Sequence, residues 1–512
     1  MSWSQWVSCL LSACLIVACR SAPRMQLLGE TTRLPQHAPS PRESAVFDGQ
    51  TVRLRGARGE TLGLQLRLAD GREREARLEL PFEAARTSSF VVRSLEVTAT
   101  STSMYGPSAG PGVYPDVLVP SSGTGPVRCT RLAYFDVAIP SSAQPGRYSG
   151  SLQVDDRTVP VTLEVSSAAI DLSEDPLVWV FYLPVEIARA HGLQDDDGPA
   201  LIEREAVYHQ LFREHGAFLA ADLRPARFEV RRRFVQNVKY WPVAVDTSSD
   251  EAIAADVRSW LELFRDSNVT PFAIPVDEPR SLSEKQRARH IAEVIGRAGG
   301  GRPAFLRAVT DAQSAVYGDS MDLFFSPANI PAAAQVGQAR GQRFWTYNGR
   351  PPAAGSMILD TDGIALRTWG WIAERYGVEL WYAWEGLYFS DRYNRGGATD
   401  VLRDPITFDE RSRGGSDFGN GDGLLAYPGP LPSLRLKALR RGLQDRLLLR
   451  KLAACGGAEK ARRIVRRVVP QALGEASEKP SWSIEELGWE RARYEVLDAI
   501  ERDCHGQAAV AR

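Results

Sequence analysis

From Asp171 to about residue 431, apolar strand-like runs alternate with amphipathic helical stretches, and this alternation constrains the fold more than any other feature of the chain. Candidate strands occupy residues 177–181, 270–276, 304–309, 323–325, 343–347 and 379–384. Residues 283–297 and 364–376 carry helical periodicity between them. A strand that recurs after a helix can pair in parallel with its predecessor, the helix covering the sheet face. Repetition over so long a stretch predicts a parallel sheet, and a closed (β/α)8 TIM-like barrel fits the length. In such a barrel, functional side chains gather at the C-terminal ends of the strands.

That placement singles out Pro275-Val276-Asp277-Glu278-Pro279, which follows the apolar run Thr270-Pro271-Phe272-Ala273-Ile274. Adjacent carboxylates disfavour each other's ionisation, and at a strand end that opens into a cleft such a pair can do acid/base work. A solvated loop start is the plain alternative. The residue before proline is pushed out of the α region, so Glu278 is expected to be extended. Strand pleating would aim the two carboxylates at opposite faces, so they can serve one ligand only if the backbone departs from the strand here. Tyr347-Asn348 stands at the end of a second strand and Trp384 at the end of a third. Tyr347, Asn348 and Trp384 are therefore the candidate substrate-binding residues, the two rings as flat platforms. Core packing is the competing role for Trp384 and for most of the 12 tryptophans.

The chain divides into five parts. Residues 1–19 read as a lipoprotein-type export signal. The apolar stretch 7–18 is too short to span a bilayer and ends in Leu15-Ile16-Val17-Ala18-Cys19, which resembles a lipobox with Cys19 as the lipidated residue. Leu11-Ser12-Ala13-Cys14 is a competing match, and a plain secretory signal is the other reading. Residues 20–43, rich in Pro, Ser and Arg, look like a tether. Residues 44–170 have an all-β texture, with alternating runs and a hairpin around Asp155-Asp156-Arg157, and predict a β-sandwich accessory domain. Residues 171–431 form the expected barrel, and residues 432–512 a C-terminal helical region. There, the basic stretch 433–454 has acids interspersed and reads as the solvated face of a packed helix. Ser483-Ile484-Glu485-Glu486 carries a capping-box pattern. The expected location is outside the cytoplasm, on a membrane through the lipid anchor alone, or else periplasmic or secreted.

A net charge of −1 gives no electrostatic reason to expect nucleic acid or an anionic lipid surface as partner. Three of the six cysteines lie in the leader. Cys455 and Cys504 could pair in an oxidising compartment, and Cys129 reads as a small buried hydrophobe. No CxxC, HExxH, GxSxG or P-loop pattern occurs, so no metal and no cofactor is expected.

The C-terminal half carries a more specific pattern. Phe418-Gly419-Asn420-Gly421-Asp422-Gly423-Leu424-Leu425-Ala426-Tyr427-Pro428-Gly429, with Pro432-Ser433-Leu434-Arg435-Leu436 and Arg441-Gly442-Leu443-Gln444-Asp445, resembles the hallmark of glycoside hydrolase family 123. It equally resembles the wider group filed beside that family as a domain of unknown function. Ile358-Leu359-Asp360, Leu366-Arg367 and Tyr376-Gly377 fit the stretch that precedes the hallmark, and Asp277-Glu278-Pro279 matches the family's catalytic pair in type and order. Residues 186–268 show little that matches. The resemblance implies a retaining β-N-acetylhexosaminidase, acting on N-acetylgalactosamine in characterised members, in which the substrate's own 2-acetamido group is the nucleophile. It implies Glu278 as general acid/base and Asp277 as the carboxylate that orients the acetamido nitrogen. A glycan or glycoconjugate is the implied partner. On chemical grounds, Asp422 between glycines reads as a turn former and Arg435 as a structural ion-pair partner. Two alternatives stand beside this function: a surface glycan-binding lipoprotein without catalysis, and a glycosidase for an unrelated polysaccharide.

Overall fold

The computed structural model describes residues 25–39, 41–121, 125–327, 341–397 and 399–510, with the side chains of 505–510 left aside. Cys19, the export signal and the first residues of the expected tether lie outside the described residues.

The N-terminal part consists of two five-stranded sheets. One runs β1 (Met25–Gly29), β3 (Thr61–Leu68), β8 (Leu132–Ala138), β5 (Arg86–Val97) and β6 (Gly112–Pro120). The other runs β2 (Val52–Arg58), β10 (Arg157–Ala169), β9 (Gly146–Val154), β4 (Arg74–Glu79) and β7 (Val127–Cys129). Period-two alternation sends Leu62, Leu64 and Leu66 of the first sheet and Val159, Val161 and Leu163 of the second into one shared core. β9 and β10 form the expected hairpin, Val154 opposite Arg157, with Asp155 at φ +52° in the turn. β1 corrects the tether: Met25 to Gly29 pair antiparallel with Leu68 to Leu64, and Leu27 enters the core. An apolar edge strand of five residues was hidden by its Pro- and Ser-rich surroundings.

The central part is a curled, TIM-like sheet of eight parallel strands: β11 (Val178–Val180), β12 (Ala217–Leu219), β13 (Tyr240–Pro242), β14 (Thr270–Ala273), β15 (Leu306–Val309), β16 (Leu323–Phe325), β17 (Arg343–Tyr347) and β18 (Trp381–Ala383). The order is β12-β11-β18-β17-β16-β15-β14-β13, so β12 and β13, consecutive in the chain, form its two edges. The barrel is therefore not closed by hydrogen bonds. At the seam, Phe218 of β12 stacks on Trp241 of β13 at 5.7 Å and 26°, and ring contact holds the edges where backbone pairing stops. Both edge strands lie in the stretch 186–268, where the sequence offered no strand candidate. Inside the curl, Trp179, Phe272, Phe325, Trp345 and Tyr382 pack edge to face or stacked, Trp179 on Tyr382 at 4.2 Å. These aromatic rings fill the interior and form a floor beneath the strand ends.

The C-terminal region holds helices Leu434–Leu452, Ala458–Val468 and Glu486–Val510. Leu434–Leu452 does not present a solvated basic face. It is buried on nearly all sides, and its charges meet acids from the N-terminal sheets. Lys437 pairs with Asp136 at 2.6 Å, Arg440 with Asp136 and Glu30 at 2.6 and 2.8 Å, and Arg441 with Glu30 and Glu60 at 3.0 and 2.8 Å. Arg435 pairs with Asp116 at 2.9 Å, the structural role its sequence context suggested. Cys455 and Cys504 are joined by a disulfide, and Cys129 is a buried free thiol. Ser483 accepts the Glu485 N–H at 3.0 Å rather than forming the expected box.

Two outcomes test this architecture. Burial alone would raise the Asp136 carboxyl, but Arg440 and Lys437 more than reverse that and hold it below the usual range. Asp136→Asn leaves two buried cations short of a partner and should cost about 3–5 kcal/mol in denaturant unfolding at neutral pH. Because the folded-state value is depressed, that loss should shrink as pH falls below about 4. Cys455→Ser opens a loop of sequence separation 49 and should cost up to about 4 kcal/mol in the same assay.

Candidate active site

β14 ends at Ala273, and Ile274-Pro275-Val276 carry the chain off the sheet to Asp277. There the backbone turns sharply. Glu278 adopts φ +42°, not the extended conformation expected of a residue before proline. A left-handed φ costs a non-glycine residue roughly 1–2 kcal/mol. Thr310, just beyond β15, offsets that cost: its hydroxyl donates to Asp277 Oδ1 at 2.7 Å and accepts the Glu278 N–H at 2.6 Å. The other side of the turn is held by helix Leu282–Arg297, which begins in a full capping box. Ser281 Oγ accepts the Glu284 N–H, and Glu284 Oε2 accepts the Ser281 and Arg280 N–H groups at 2.7 and 2.9 Å. One hydroxyl and one helix cap thus hold two adjacent, solvent-open carboxylates at the end of β14, where the backbone departs from strand pleating.

Glu278 is held from two sides. Tyr347 donates its hydroxyl to Oε1 at 2.8 Å, and Arg280 donates to Oε2 at 3.2 Å. The Glu278 side chain is 42% exposed, and Asp277 is also open to solvent. Protein nonetheless crowds the Asp277 carboxyl. Lost hydration pushes it up, the Thr310 hydrogen bond pulls it back, and the charge of Glu278 adds to the rise. The Tyr347 hydroxyl is raised, by burial first and by Glu278 second, and stays a proton-bearing donor.

A third carboxylate faces the same space. Asp222, beyond the end of β12, is open to solvent yet closely surrounded, and is pushed up to about 6, by desolvation first and by the charge of Asp277 in addition. Tyr382 lies among these acids: burial raises its hydroxyl most, then Asp277 and Asp222. Its ring stands 6.3 Å from that of Tyr347.

The structure therefore brings Asp277, Glu278 and Tyr347 into one hydrogen-bonded group. Asn348 and Trp384 border it. Asn348, at φ +48°, ties the ends of β17 and β18: its Oδ1 accepts the Trp384 N–H at 2.7 Å, its carbonyl accepts Trp381 Nε1–H at 2.8 Å, and its N–H donates to the Tyr382 carbonyl at 2.7 Å. Trp384 is half-buried in an aromatic wall with Tyr388, Tyr393 and Phe408, at ring separations of 5.3 to 6.1 Å. Among the described residues, no group of three or more His, Cys, Asp or Glu side chains is disposed to hold a metal ion.

Sequence reasoning missed Thr310, Asp222 and Tyr382. Thr310 directly follows a recognised strand and was within reach of the strand-end rule. Asp222 follows β12, which carried no readable period. The hallmark residues, by contrast, stand where the N-terminal sheets meet the segments that follow β17 and β18 and helix Leu434–Leu452. Asn420 bonds Ser101 Oγ and the Ala99 carbonyl at 2.9 Å, Asp360 accepts from Ser101 Oγ at 2.6 Å, and Arg435 reaches Asp116. Asp422 is buried there, and desolvation pushes its carboxyl up to about 7.

No family model and no curated protein matches the chain. Among solved structures, the fold is similar to a family 123 glycoside hydrolase from Clostridium perfringens, described for glycolipid glycan hydrolysis, with a TM-score of 0.64 and 12% identity over 96% of this chain and 100% of that one. Matches to an FMN-binding β-glucuronidase from Facaelibacterium prausnitzii (TM-score 0.33, 9% identity, 77% and 60% of the chains) and to a family 2 hydrolase from Bacteroides cellulosilyticus (0.27, 10%, 69% and 48%) are too distant to carry an argument. The first likeness concerns the fold, and at that level it agrees with the family 123 resemblance carried by the sequence motifs.

The crowding of Asp222 predicts a signed pH effect. Its folded-state value is raised, so its ionisation costs stability as pH climbs from about 4 through about 6. Asp222→Asn should match the parent's melting temperature at the acid end of that window and exceed it above the window. Equal melting at both ends would show that no such burden exists.

Proposed function

We propose that the chain is a glycoside hydrolase that removes terminal β-linked N-acetylhexosamine, in first place N-acetylgalactosamine, with retention and with the substrate's acetamido group as nucleophile. The observation that carries this reading is the Thr310-bridged Asp277–Glu278 pair at the end of β14: two adjacent carboxylates, aimed together, with different partners. The TIM-like fold and the family 123 resemblance support it.

The two environments suit two tasks. Glu278 is open to solvent with one oxygen fixed by Tyr347, and a leaving-group oxygen can approach there. As a carboxylic acid it gives its proton to that oxygen while the acetamido carbonyl oxygen attacks C1. The C1–O bond breaks and an oxazolinium ring forms. Asp277, held by Thr310, accepts the acetamido N–H and stabilises the positive charge on the ring. Glu278, now a carboxylate, takes a proton from water as the water attacks C1 on the face from which the leaving group departed. The ring opens with net retention, and both carboxyl groups return to their starting state. The acetamido nucleophile makes a second carboxylate across the sugar unnecessary. Trp384 and its aromatic neighbours border the cleft as a stacking surface.

We further propose export, with Cys19 as lipid anchor. The short apolar leader supports this reading, and so does the Cys455–Cys504 disulfide, which suits an oxidising compartment. A second reading, a glycan-binding surface without catalysis, draws on the openness of both carboxylates to solvent.

Release of a chromogenic leaving group from β-N-acetylgalactosaminide and β-N-acetylglucosaminide decides between them. Glu278→Gln should lower kcat by about 10²–10⁴ with folding intact. Asp277→Asn should abolish the advantage of substrates that carry the acetamido group. Activity should fall on the acid side at a pH above the ordinary aspartate range, because the raised Asp277 carboxyl must ionise. Undiminished turnover by Glu278→Gln would sink the assignment, and equal turnover of a substrate without the 2-acetamido group would sink the mechanism. Glycan binding with no turnover by the parent would establish the second reading.

A further inference from the structure

Two polar groups at the C-terminal end of the curled sheet take no part in the mechanism above, and neither has a partner. Asp222 lies three residues beyond the end of β12. The Leu223 N–H donates to the Ala221 carbonyl at 3.0 Å, so Asp222 is the middle of a tight three-residue turn. The Leu223 carbonyl accepts the Ala244 N–H at 3.1 Å, which ties that turn across the seam. Asp222 is open to solvent, yet among the described residues no cation pairs with it and no side chain donates to it. Its own N–H is what lowers its carboxyl, against the larger effect of desolvation. Arg224, the nearest cation along the chain, turns to Asp246 and Asp256 instead.

Tyr382 of β18 is the second group. It is 8% exposed, and among the described residues nothing hydrogen-bonds its hydroxyl. The oxygen is not sealed off, because it keeps accessible surface. After burial, the charges of Asp277 and Asp222 act on it most, so it points to the end of the sheet where those acids stand. They keep it protonated and therefore a donor. Trp179 of β11 places both groups. Its indole N–H donates to the Ala220 carbonyl at 2.8 Å, two residues before Asp222, and its ring stacks on Tyr382 at 4.2 Å. A buried tyrosine ordinarily finds a partner for its hydroxyl, and a carboxylate crowded by protein ordinarily finds a donor. Here an acceptor and a donor stand unused at one end of the sheet. A sugar hydroxyl both donates and accepts, and suits such a pair.

We propose that Asp222 and Tyr382 hold ring hydroxyls of the terminal sugar, Asp222 as acceptor and Tyr382 as donor, and that the site takes a sugar whose hydroxyls are free and turns away one that carries a sulfate ester. A sulfate replaces a hydroxyl hydrogen with negative charge and faces Asp222 with a like charge. Asp222 and Tyr382 are thus specificity-determining residues. The inference rests on the reading of the Asp277–Glu278 site as one for a terminal N-acetylhexosamine.

Titration of the whole protein with N-acetylgalactosamine and with its 4-sulfate and 6-sulfate, followed by NMR of the sugar, tests it at a pH above the window in which Asp222 ionises. The parent should bind the neutral sugar at least about tenfold more tightly than either sulfate. Asp222→Asn should weaken the neutral sugar by about tenfold and narrow its advantage over the sulfates, because the repelling charge is gone. A merely structural role for Asp222 would weaken all three sugars alike and leave that ratio unmoved. Misfolding is not a confounder, since Asp222→Asn should melt no lower than the parent. Tyr382→Phe, which keeps the stacked ring, should weaken the neutral sugar by about two- to tenfold. Unchanged affinity in both variants, an unmoved ratio in Asp222→Asn, or no binding of the neutral sugar by the parent would each overturn the proposal. Turnover is scored separately: the expected binding pattern without hydrolysis would remove the activity and leave this assignment standing, and hydrolysis with unchanged binding in both variants would do the reverse.

Discussion

Helix Leu434–Leu452 carries Arg435, Lys437, Arg440, Arg441 and Asp445 into the interior, and the arrangement of the other parts depends on how these charges are met. Removing a charge from water is expensive unless a partner of opposite sign waits in good geometry. Each partner here comes from a different place. Asp116 and Asp136 belong to one N-terminal sheet, Glu60 lies beside it, Arg367 leads into helix Thr368–Tyr376, and Arg493 of the last long helix closes on Glu60 at 2.6 Å. A shift of either body would strand several charges at once. The network therefore fixes relative position, whatever its net contribution to stability, and guanidinium forks suit that task because they bond two partners in fixed directions.

From this anchor, close packing reaches the cleft. Helices Thr368–Tyr376 and Leu434–Leu452 meet backbone to backbone: a Cβ on Gly370 would stand 1.9 Å from the Gly442 carbonyl oxygen, and one on Gly442 would stand 2.3 Å from that of Arg367. Trp369, on the first of these helices, stacks on Trp381 of β18 at 4.7 Å and 13°. Trp381 in turn donates its indole N–H to the Asn348 carbonyl, and Asn348 holds the backbone of Trp384. Next to Asn348 is Tyr347, which grips Glu278. The open seam between β12 and β13 leaves one side of the curl without backbone pairing. Support from the C-terminal helices on the other side, at β17 and β18, is what keeps the strand ends in register with the acids of β14.

Much of this was legible in the chain, and the illegible parts share physical causes. Six of the central strands were read from their apolar runs, while β12 and β13, as short as β11, β16 and β18, lie in the stretch 186–268 and were not. Asp277 and Glu278 were found because they follow a readable strand, and Asp222 was missed because it does not. The conformation of Glu278 was misread because the preference before proline is local, whereas the hydroxyl that overrides it comes from Thr310, more than thirty residues away. The helix Leu434–Leu452 was misread for a related reason. Interspersed acids and bases usually mark a solvated face. Only tertiary packing reveals that the partners of these bases lie on other elements and that water is excluded.

The hallmark that points to family 123 deserves a different weight from the acidic pair. Its asparagine, its arginine and the aspartate at 360 bond the N-terminal sheets to the segments that follow β17 and β18 and to helix Leu434–Leu452. A chain that keeps these residues keeps that contact, and with it the shape of the fold, whether or not the cleft can break a glycosidic bond. The similarity in fold carries the same information and no more. What distinguishes a hydrolase from a binding protein on this framework is local: a turn that aims two neighbouring carboxylates together, a threonine hydroxyl that joins them, and a tyrosine that holds one while protein crowds the other. Those four side chains, Asp277, Glu278, Thr310 and Tyr347, come from the ends of β14, β15 and β17. Glu278 shares its positive φ with Asp155 in a surface hairpin turn and with Leu473, so the backbone angle alone does not mark a site. The proposed catalytic role draws on the Thr310 hydroxyl shared by Asp277 and Glu278 and on the Tyr347 hydroxyl bonded to Glu278, beside the resemblance.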